Sequence, residues 1–291
     1  MEGIILSGVG GQYTVLDASG RRYKLRAQAK LRRQRLTPLV GDRVRFEPGE
    51  AGQNGWLEEI MPRRTSLIRP AVANVDVICL TLSAGTPEPD LMLIDRLMIK
   101  CRLSGIGALI VVNKCDLGGA AEDIAAQYRL SGAEVLSVSA ATGLGLDALR
   151  DRLRGQIFAM AGQSGVGKSS LLNALYGLSQ ETGALSQKIE RGRNTTRHAV
   201  LTPVEGGGMA LDTPGFSLFE LELMDPREMP ALVPEFGPYE GQCRFSPCFH
   251  RAEPGCAVIG AVRRGDLPEE RWARYCEILD DMRIKWRERY D

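Results

Sequence analysis

The sequence predicts three consecutive parts of different fold class: an all-β barrel, an α/β domain, and a small cysteine-rich module with helices. Short alternating segments separated by turn residues fill the first part, and strands then alternate with helical segments. Three of the seven cysteines bunch near the C-terminus. A chain of 291 residues has room for two or three domains. We place the domain boundaries at residues 1–70, 71–225 and 226–291.

The composition excludes several classes of protein. Apolar residues make up 44% of the chain and charged residues 25%, as in ordinary globular proteins. No apolar run approaches the roughly 20 residues that cross a bilayer, so we expect neither a membrane span nor a membrane partner. The N-terminus has no basic stretch followed by an apolar core, so we expect no secretory signal. Seven cysteines without such a signal favour a reducing, cytoplasmic compartment.

The first part of the chain predicts an OB-fold barrel. Turn residues separate five short strand-like segments, at Gly3–Ser7, Tyr13–Asp17, Arg22–Arg26, Asp42–Phe46 and Trp56–Met61. Five short strands suit the OB-fold, a closed barrel that binds oligonucleotides, and an SH3-like barrel with a structural role fits the same pattern. We interpret the Pro- and Arg-rich segment Met61–Pro70 as a linker.

Charge is unevenly distributed along the chain. Residues 1–70 carry 13 Lys or Arg and 7 Asp or Glu, whereas the remainder carries 24 and 29. Eight basic residues occur in one stretch without an acidic residue: Arg21, Arg22, Lys24, Arg26, Lys30, Arg32, Arg33 and Arg35. Clustered cations gain affinity by displacing counterions from nucleic acid, which makes this stretch a candidate RNA-binding face. A solvated edge strand and loop explain the same charges equally well.

The second part predicts a parallel sheet with helices, because strands and helices alternate. The predicted strands are Val75–Leu82, Ala108–Val112, Glu134–Val138, Gln156–Ala161 and Met209–Leu211. The predicted helices are Leu91–Leu103, Ala120–Leu130, Leu146–Leu153 and Ser170–Tyr176.

A phosphate-binding loop lies between one of these strands and the helix that follows it. Residues 162–169 read GQSGVGKS and fit the pattern G-x4-G-K-[ST]. Glycines let backbone N–H groups turn towards phosphate oxygens, and the helix N-terminus adds the positive end of a dipole. Lys168 is expected to reach the β- and γ-phosphates and Ser169 to bind Mg²⁺. The predicted phosphate-binding residues are Gly162, Gln163, Ser164, Gly165, Val166, Gly167, Lys168, Ser169 and Ser170.

A second motif selects the base. Residues 113–116 read NKCD directly after a predicted strand. An Asp carboxylate accepts two hydrogen bonds from the guanine edge, whereas adenine presents a lone pair at N1. Alone, the motif is explained by a surface turn; together with the phosphate-binding loop it indicates GTP. The predicted base-binding residues are Asn113, Lys114, Cys115, Asp116, Ser139 and Ala140, the last two adding a backbone N–H.

Two further segments are predicted to respond to the γ-phosphate. Residues 212–215 read DTPG after a strand, so Asp212 is expected to hold Mg²⁺ through water and the Gly215 N–H to meet the γ-phosphate. Residues 191–198 read RGRNTTRH, and a threonine in such a segment completes the Mg²⁺ shell when GTP is bound. We favour Thr196 over Thr195 because it directly precedes Arg197. The candidate catalytic residues are therefore Lys168, Thr196, Asp212 and Gly215.

The cysteine-rich module has metal-ligand spacing, Cys243-x4-Cys248-x-His250-x5-Cys256. Three thiolates and one imidazole suit a structural tetrahedral zinc and leave no position for a catalytic water. We expect one zinc per chain, and metal would stabilise a loop with little core of its own. Four unrelated residues, or disulfides, are the alternatives, and the expected compartment disfavours disulfides.

An amphipathic helix is predicted after the metal motif. The segment Leu267–Tyr290 is charged and has helical spacing of its apolar residues. We expect Trp272, Tyr275, Leu279 and Met282 to form its packing face.

The order of the motifs indicates a circular permutation. NKCD precedes the phosphate-binding loop and DTPG here, whereas in ordinary GTPases the phosphate-binding loop comes first. A basic barrel, a permuted GTPase and a C-x4-C-x-H-x5-C module, in this order, resemble the circularly permuted, small-ribosomal-subunit-dependent GTPases (RsgA). The resemblance covers nearly the whole chain and includes NKCD, GQSGVGKS, TTRH, DTPGF, the zinc spacing and Leu67-x-Arg69-Pro70.

The resemblance implies a monomeric late assembly factor that binds the small ribosomal subunit and its rRNA, hydrolyses GTP to GDP there, and aids release of other factors. One departure concerns the first switch, where the family usually has GxHTT and this chain has Asn194. In addition, Phe216 follows DTPG, where many GTPases place a water-orienting Gln. We therefore expect slow hydrolysis that the small subunit accelerates.

Two other functions remain open at the level of the sequence. One is a GTP-dependent RNA-binding switch in which hydrolysis is incidental. The other is an ATP-using enzyme with a zinc-bearing substrate arm, which Asp116 disfavours because its carboxylate matches guanine.

Overall fold

The computed structural model of this chain describes residues 1–33, 36–50, 53–68, 70–178, 199–212 and 221–290, with the side chains of residues 32, 33 and 290 excepted. The chain divides into two compact units. The first comprises Met1–Cys79, Gly145–Ala161 and Lys168–Phe219. The second comprises Leu80–Leu144, Gly162–Gly167 and Glu220–Asp291. The predicted α/β domain contributes residues to both units.

The N-terminal strands of the first unit close into the predicted five-stranded OB-type barrel. They are β1 (Glu2–Val9), β2 (Gln12–Asp17), β3 (Arg22–Ala27), β4 (Arg43–Glu47) and β5 (Gly55–Ile60). The order is β1-β2-β3-β5-β4, and β4 also pairs with β1, which leaves no open edge. The pairing of β3 with β5 is parallel, and the other pairings in the barrel are antiparallel. A short helix, α1 (Ala29–Arg33), follows β3.

Alternation along each strand fills the barrel. Inward side chains from all five strands are completely buried, namely Ile5, Val15, Leu25, Val44, Phe46 and Leu57. Their neighbours in β2 to β5 are more exposed, as the two-residue period of a strand requires, whereas in β1 Leu6 is buried beside Ile5 where the pairing with β2 shifts register.

The segment read as a linker is held against the barrel. Strand β6 (Ser66–Leu67), within this segment, pairs antiparallel with β7 (Val72–Ala73), which follows it. Arg63 donates to both carboxylate oxygens of the buried Asp42, at 2.7 and 2.9 Å. Asn74 Nδ2 donates to the Gly41 carbonyl at 2.9 Å. These buried polar contacts fix the path of the chain as it leaves the barrel.

The remaining strands of the first unit continue from the barrel. They are β11 (Ile157–Ala161), β12 (Val200–Pro203) and β13 (Met209–Asp212), and the helices of this region are α4 (Leu146–Leu153) and α5 (Lys168–Tyr176). Strand β13 runs parallel to β11 and antiparallel to β12. Strand β12, which the sequence patterns did not reveal, pairs with β1 at Val200 and Ser7.

The second unit contains the other half of the α/β pattern. Strand β8 (Val77–Ser83) begins in the first unit and ends in the second, followed by α2 (Leu91–Leu103), β9 (Gly107–Asn113), α3 (Ala121–Tyr128) and β10 (Glu134–Ser137). Every residue of β8 is buried, which explains its near-continuous apolar sequence. Asp90 caps α2 by accepting a hydrogen bond from the Leu93 N–H at 2.9 Å.

The C-terminal part of the second unit is helical. Two 3₁₀ helices, Pro226–Leu232 and Pro234–Tyr239, precede α6 (Ala257–Arg263) and α7 (Glu269–Arg287), and a last 3₁₀ turn covers Glu288–Tyr290. Tyr275, Leu279 and Met282 are buried and Trp272 packs against the same cluster, as the predicted packing face requires. Across the residues described here, no helix combines the length and apolar character needed to cross a membrane.

Candidate nucleotide site and metal centre

Residues 162–167, here called the phosphate loop, follow β11 and precede α5 in the chain and belong to the second unit. Two of its glycines are required by close contacts. A Cβ on Gly162 would lie 2.1 Å from the Thr81 carbonyl oxygen. A Cβ on Gly167, which has φ +95°, would lie 2.4 Å from Asn113 Nδ2. The loop therefore presses its main chain against β8 and β9 at positions where only glycine fits.

Side chains of the NKCD motif donate hydrogen bonds to the main chain of the phosphate loop. Asn113, at the end of β9, is buried and donates from Nδ2 to the Val166 carbonyl at 2.8 Å. Lys114 has φ +62°, and its ammonium donates to the Gly165 carbonyl at 2.9 Å and to the Thr86 carbonyl at 2.5 Å. Two side chains of the base motif thus bond two carbonyl groups of the loop and fix its main chain.

Asp116 differs from its neighbours in the motif because its side chain is exposed. Asp116 is the middle residue of the 3₁₀ turn Cys115–Leu117, and this turn begins directly after Lys114, which has a positive φ. Burial raises the pKa of the adjacent Cys115 thiol, so this thiol stays protonated at neutral pH. An exposed carboxylate beside a braced loop is free to accept hydrogen bonds from a base.

Ser139 and Ala140 support the motif through their backbone. The Ala140 N–H donates to Asn113 Oδ1 at 3.1 Å, and the Ser139 N–H donates to the Leu144 carbonyl at 2.9 Å. Both N–H groups therefore have acceptors within the protein, and the Asn113 amide is fixed from two sides. The contact of Ser139 and Ala140 with a base stays a prediction.

Gln163 makes a contact that sequence reasoning missed. Its Oε1 accepts a hydrogen bond from the Asp90 N–H at 2.9 Å, so the phosphate loop bonds to the first residues before α2. Asp90 was recognisable as a helix cap from its place before Leu91, but the 73 residues that separate it from Gln163 concealed the pairing.

The other predicted phosphate and magnesium residues belong to the first unit. Lys168, Ser169 and Ser170 form the first turn of α5, and Asp212 ends β13. Burial lowers the pKa of Lys168 and raises that of Asp212, because burial disfavours the charged form of each group. Charged ligands would offset that cost.

Several predicted residues lie outside the described part of the chain. Thr195, Thr196 and Asn194 belong to residues 179–198, and Gly215 and Phe216 belong to residues 213–220. The predictions for these positions therefore stay predictions.

Cys243, Cys248, His250 and Cys256 converge in the second unit. Their ligand atoms all lie within 4.8 Å of one another, and among the described residues no two cysteines form a disulfide. Cys243 Sγ lies 3.8 Å from Cys256 Sγ, and His250 Nδ1 lies 3.6 Å from Cys243 Sγ and 3.3 Å from Cys256 Sγ. Thiolates about 2.3 Å from a tetrahedral metal are themselves about 3.8 Å apart, so this group can hold a metal ion.

Burial changes the protonation of three of the four candidate ligands, His250, Cys248 and Cys256. Burial lowers the pKa of His250, which keeps the imidazole neutral and its nitrogen available. Burial raises the pKa of the Cys248 thiol to about 12 and also raises that of Cys256. A cation must displace those protons, so metal binding is expected to release protons and to strengthen with pH.

Side chains outside the motif hold residues 243–256, here called the metal loop. Glu253 accepts hydrogen bonds from the N–H groups of Phe249, Arg251 and Ala252 at 2.9–3.1 Å. Burial opposes its ionisation, but these backbone donors hold the pKa of Glu253 below its ordinary value. A carboxylate three residues after the histidine ligand was visible in the sequence, but its inward turn was not.

The basic stretch occupies β3 and α1. Five of its residues are exposed: Arg21, Arg22, Lys24, Arg26 and Lys30. Trp56 of β5 is the parallel Cα partner of Arg26 and is 47% exposed. The side chains of Arg32 and Arg33, and Arg35 as a whole, lie outside the described part of the chain.

The barrel, the braced phosphate loop and the Cys/His cluster define the class of protein: a circularly permuted P-loop GTPase with an OB-type barrel before it in the chain and, after it, a Cys/His module that can hold a metal ion. Comparison with known proteins gives the particular family. A model described as RsgA GTPase matches residues 60–222, and one described as RsgA N-terminal domain matches residues 2–57. The chain belongs to the RsgA GTPase family and is a GTP hydrolase.

Curated relatives match nearly the full length. Small ribosomal subunit biogenesis GTPase RsgA of Moorella thermoacetica is 43% identical over 284 residues, which is 97% of each chain. The protein of the same name from Ruminiclostridium cellulolyticum is 42% identical over 280 residues, which is 95% of this chain and 92% of the relative.

Two solved structures share the fold. YjeQ from Thermotoga maritima is 32% identical, with a TM-score of 0.82 over 97% of this chain and 98% of that one. YloQ, described as a circularly permuted GTPase, is 30% identical, with a TM-score of 0.80 over 98% of this chain and 95% of that one. The predicted family and fold class are thereby confirmed.

Proposed function

We propose that this GTPase binds the small ribosomal subunit, hydrolyses GTP there, and acts in late maturation of the subunit and release of assembly factors. The names of its curated relatives support the subunit as the partner. The nucleotide part rests on one observation: Asn113 and Lys114 of the base motif bond directly to the phosphate loop. A loop and a base motif joined in this way suit a single guanine nucleotide.

The proposed roles follow from the chemistry of each side chain. Asp116 accepts from the guanine edge, and the loop N–H groups with Lys168 neutralise phosphate charge. Ser169, Thr196 and Asp212 hold Mg²⁺ with the nucleotide, and the Gly215 N–H meets the γ-phosphate. Mg²⁺, when bound, neutralises charge that develops on the phosphates.

Hydrolysis depends on the two switch segments. Catalysis of phosphoryl transfer is mostly positioning and electrostatics, so a site without a water-positioning side chain is slow. Asn194 and Phe216 occupy the places where relatives and many GTPases carry such a side chain. We propose that the small subunit orders these segments and thereby accelerates the reaction.

The other domains are proposed to bind and to stabilise. In this assignment residues 1–70 bind rRNA, residues 71–225 form the permuted GTPase domain, and residues 226–291 hold one structural zinc. The exposed cations of β3 suit RNA phosphates, and the exposed Trp56 beside them suits base stacking. The proposed working form is a cytoplasmic monomer.

The decisive experiment is single-turnover GTP hydrolysis with saturating protein, measured without subunits, with purified small subunits and with purified large subunits. We expect only small subunits to accelerate hydrolysis, by roughly 10³-fold or more, the scale that external completion of a GTPase site reaches elsewhere. Equal rates in all three samples would contradict the proposal. Tight GTP-dependent subunit binding with no acceleration would instead indicate an RNA-binding switch.

The barrel face is tested in the same samples. Arg22→Gln with Lys24→Gln removes two exposed charges from β3, and Arg43→Gln with Arg45→Gln removes two from β4 as a matched control. The β3 variant is expected to weaken subunit binding and to flatten its salt dependence, by roughly one unit of log–log slope per lost phosphate contact. Equal slopes for the two variants would show that β3 is merely a solvated strand.

A further inference from the structure

A cluster of four charges lies buried where α2 meets α7 in the second unit. Its members are Asp95 on α2, Glu235 in the 3₁₀ helix Pro234–Tyr239, and Arg271 and Arg274 on α7. Their side chains are 7%, 4%, 9% and 13% exposed, respectively. Two negative and two positive groups balance, but burial of four charges is costly unless each is paired. Because apolar side chains of the same volume would often stabilise the fold as well, we looked for a role of these charges in positioning other groups.

Asp95 is the residue that joins both arginines. Its Oδ1 accepts from Arg271 Nη1 at 2.8 Å, and its Oδ2 accepts from Arg274 Nε. Arg271 also donates from Nε to Glu235. Among the described residues, Glu235 Oε2 and Arg274 Nη2 have no hydrogen-bond partner, whereas both oxygens of Asp95 are used. Removal of the Asp95 charge would therefore break one ion pair of each arginine at once.

Further contacts fix the two guanidinium groups in direction. The Arg271 guanidinium lies 4.6 Å from the centroid of the Tyr128 ring on α3. Arg274 Nη1 donates to Gln127 Oε1 at 3.0 Å. The arginines are thus held by α2 and α3 together, and α7 cannot turn about its own axis without breaking these bonds.

The residues next to these arginines hold the metal loop. Trp272 Nε1 donates to the His250 carbonyl at 2.7 Å, and the Tyr275 hydroxyl donates to the Phe249 carbonyl at 2.8 Å. His250 has φ +56°, an unusual backbone conformation for a residue other than glycine, so its position depends on outside support. Both supporting donors come from the turn of α7 that the two arginines fix.

We propose that Asp95 is a positioning residue for the metal centre: through Arg271 and Arg274 it sets the rotation of α7, and Trp272 and Tyr275 then hold the backbone of the His250 ligand. This inference rests on the metal centre assigned above and adds a residue that lies about 150 positions away in the sequence. Groups that orient metal ligands from outside the coordination shell change metal affinity by 10–100-fold in other proteins, about the size of effect expected here.

The full-length chain offers a matched pair of variants. Asp95→Asn removes the buried charge. Asp281→Asn removes an exposed one, because Asp281 on α7 pairs with Arg96 on α2 at 2.6 Å with 54% of its side chain exposed. Both variants break an ion pair between the same two helices, but only the first reaches the arginines beside Trp272 and Tyr275.

The experiment loads each chain with Co²⁺ and measures its affinity against a chromophoric chelator and its visible absorption spectrum per bound Co²⁺. Asp95→Asn is expected to weaken Co²⁺ binding at least tenfold and to alter the spectrum, whereas Asp281→Asn changes affinity less than twofold and leaves the spectrum unchanged. The spectrum separates positioning from mere destabilisation, because a partly unfolded sample binds less Co²⁺ with an unchanged spectrum.

If Asp95→Asn does not fold, a milder variant still tests the proposal. Arg274→Gln leaves the pairs of Arg271 with Asp95 and Glu235 in place, and it is expected to shift affinity and spectrum in the same direction as Asp95→Asn but less far. Wild-type spectra for both variants would overturn the proposal, whatever their affinities. Failure of the unaltered chain to bind Co²⁺ would overturn the metal centre as well, so the two failures are distinguishable.

Discussion

The phosphate loop and the metal loop contain neither helix nor strand, yet they are held in opposite ways. Asn113 and Lys114 bond the carbonyls of the phosphate loop, so protein groups alone shape its main chain. The metal loop brings three thiols and one imidazole within 4.8 Å of one another, and a cation is what those groups suit. The comparison teaches that a loop braced by side chains keeps its shape without its ligand, whereas the shape of a loop made of converging metal ligands depends more on the bound metal.

The largest expected effect is therefore removal of the metal. Chelation, or Cys248→Ser, is expected to destabilise the C-terminal module by several kcal/mol, because structural metal contributes directly to folding free energy. Hydrogen exchange checks this: amides of the metal loop and α6 should lose protection while those of β9 keep it. Unchanged exchange in the metal loop after complete metal removal would show that α7 and Glu253 suffice to hold it.

The next largest effect concerns the preference of the nucleotide site for guanine. Asp116→Asn is expected to cost roughly 3 kcal/mol of preference for GTP over XTP, because the amide can donate to the C2 carbonyl of xanthine. The shape of the phosphate loop should not change, since Asp116 makes none of the bracing contacts described above. Competition among GTP, ATP and XTP measures the preference, with Asp123→Asn on α3 as an exposed control. Full retention of GTP preference would contradict the base assignment.

The sequence predicted each ligand-binding pattern because both are local. The spacing of GQSGVGKS and of C-x4-C-x-H-x5-C requires no knowledge of the fold, since the residues act from one short segment. The bounds of α2 and α4 also followed from periodicity, and the structure gives the same residues. Strand β12 was missed because four residues carry too little alternation to be distinguished from a loop.

The supporting contacts could not be predicted because they join distant positions. Asn113 reaches Val166 across 53 residues, and Arg271 reaches Asp95 across 176. In the sequence Asp95 and Arg271 are ordinary charged residues of amphipathic helices, which normally face solvent. The packing of α7 against α2 and α3 buries them, and such long-range packing cannot be read from a local sequence pattern.

A third test addresses the bracing itself. Asn113→Ala is expected to cost about 2 kcal/mol of stability, because it leaves the buried Val166 carbonyl and Ala140 N–H without their partner. Nucleotide affinity should fall with it, as the loop loses its preformed shape. Lys114→Ala should cost less, since that side chain is only partly buried. Denaturant unfolding and nucleotide titration measure both. An effect of Lys114→Ala that equals or exceeds that of Asn113→Ala would contradict this ranking.

The smallest expected effect is at Glu253, a side chain that braces the metal loop from within. The Glu253 carboxylate accepts three backbone N–H groups, as Asn113 and Lys114 satisfy backbone carbonyls. Glu253→Gln keeps one acceptor oxygen and loses the charge, so we expect a loss of about 1 kcal/mol with metal bound. Glu240→Gln, at an exposed position in the same unit, serves as the control and should change nothing measurable. Thermal unfolding of the metal-loaded chain gives the difference between the two. If that difference instead reaches the size of the metal effect, the metal loop is braced by side chains after all, and the contrast between the loops is one of degree.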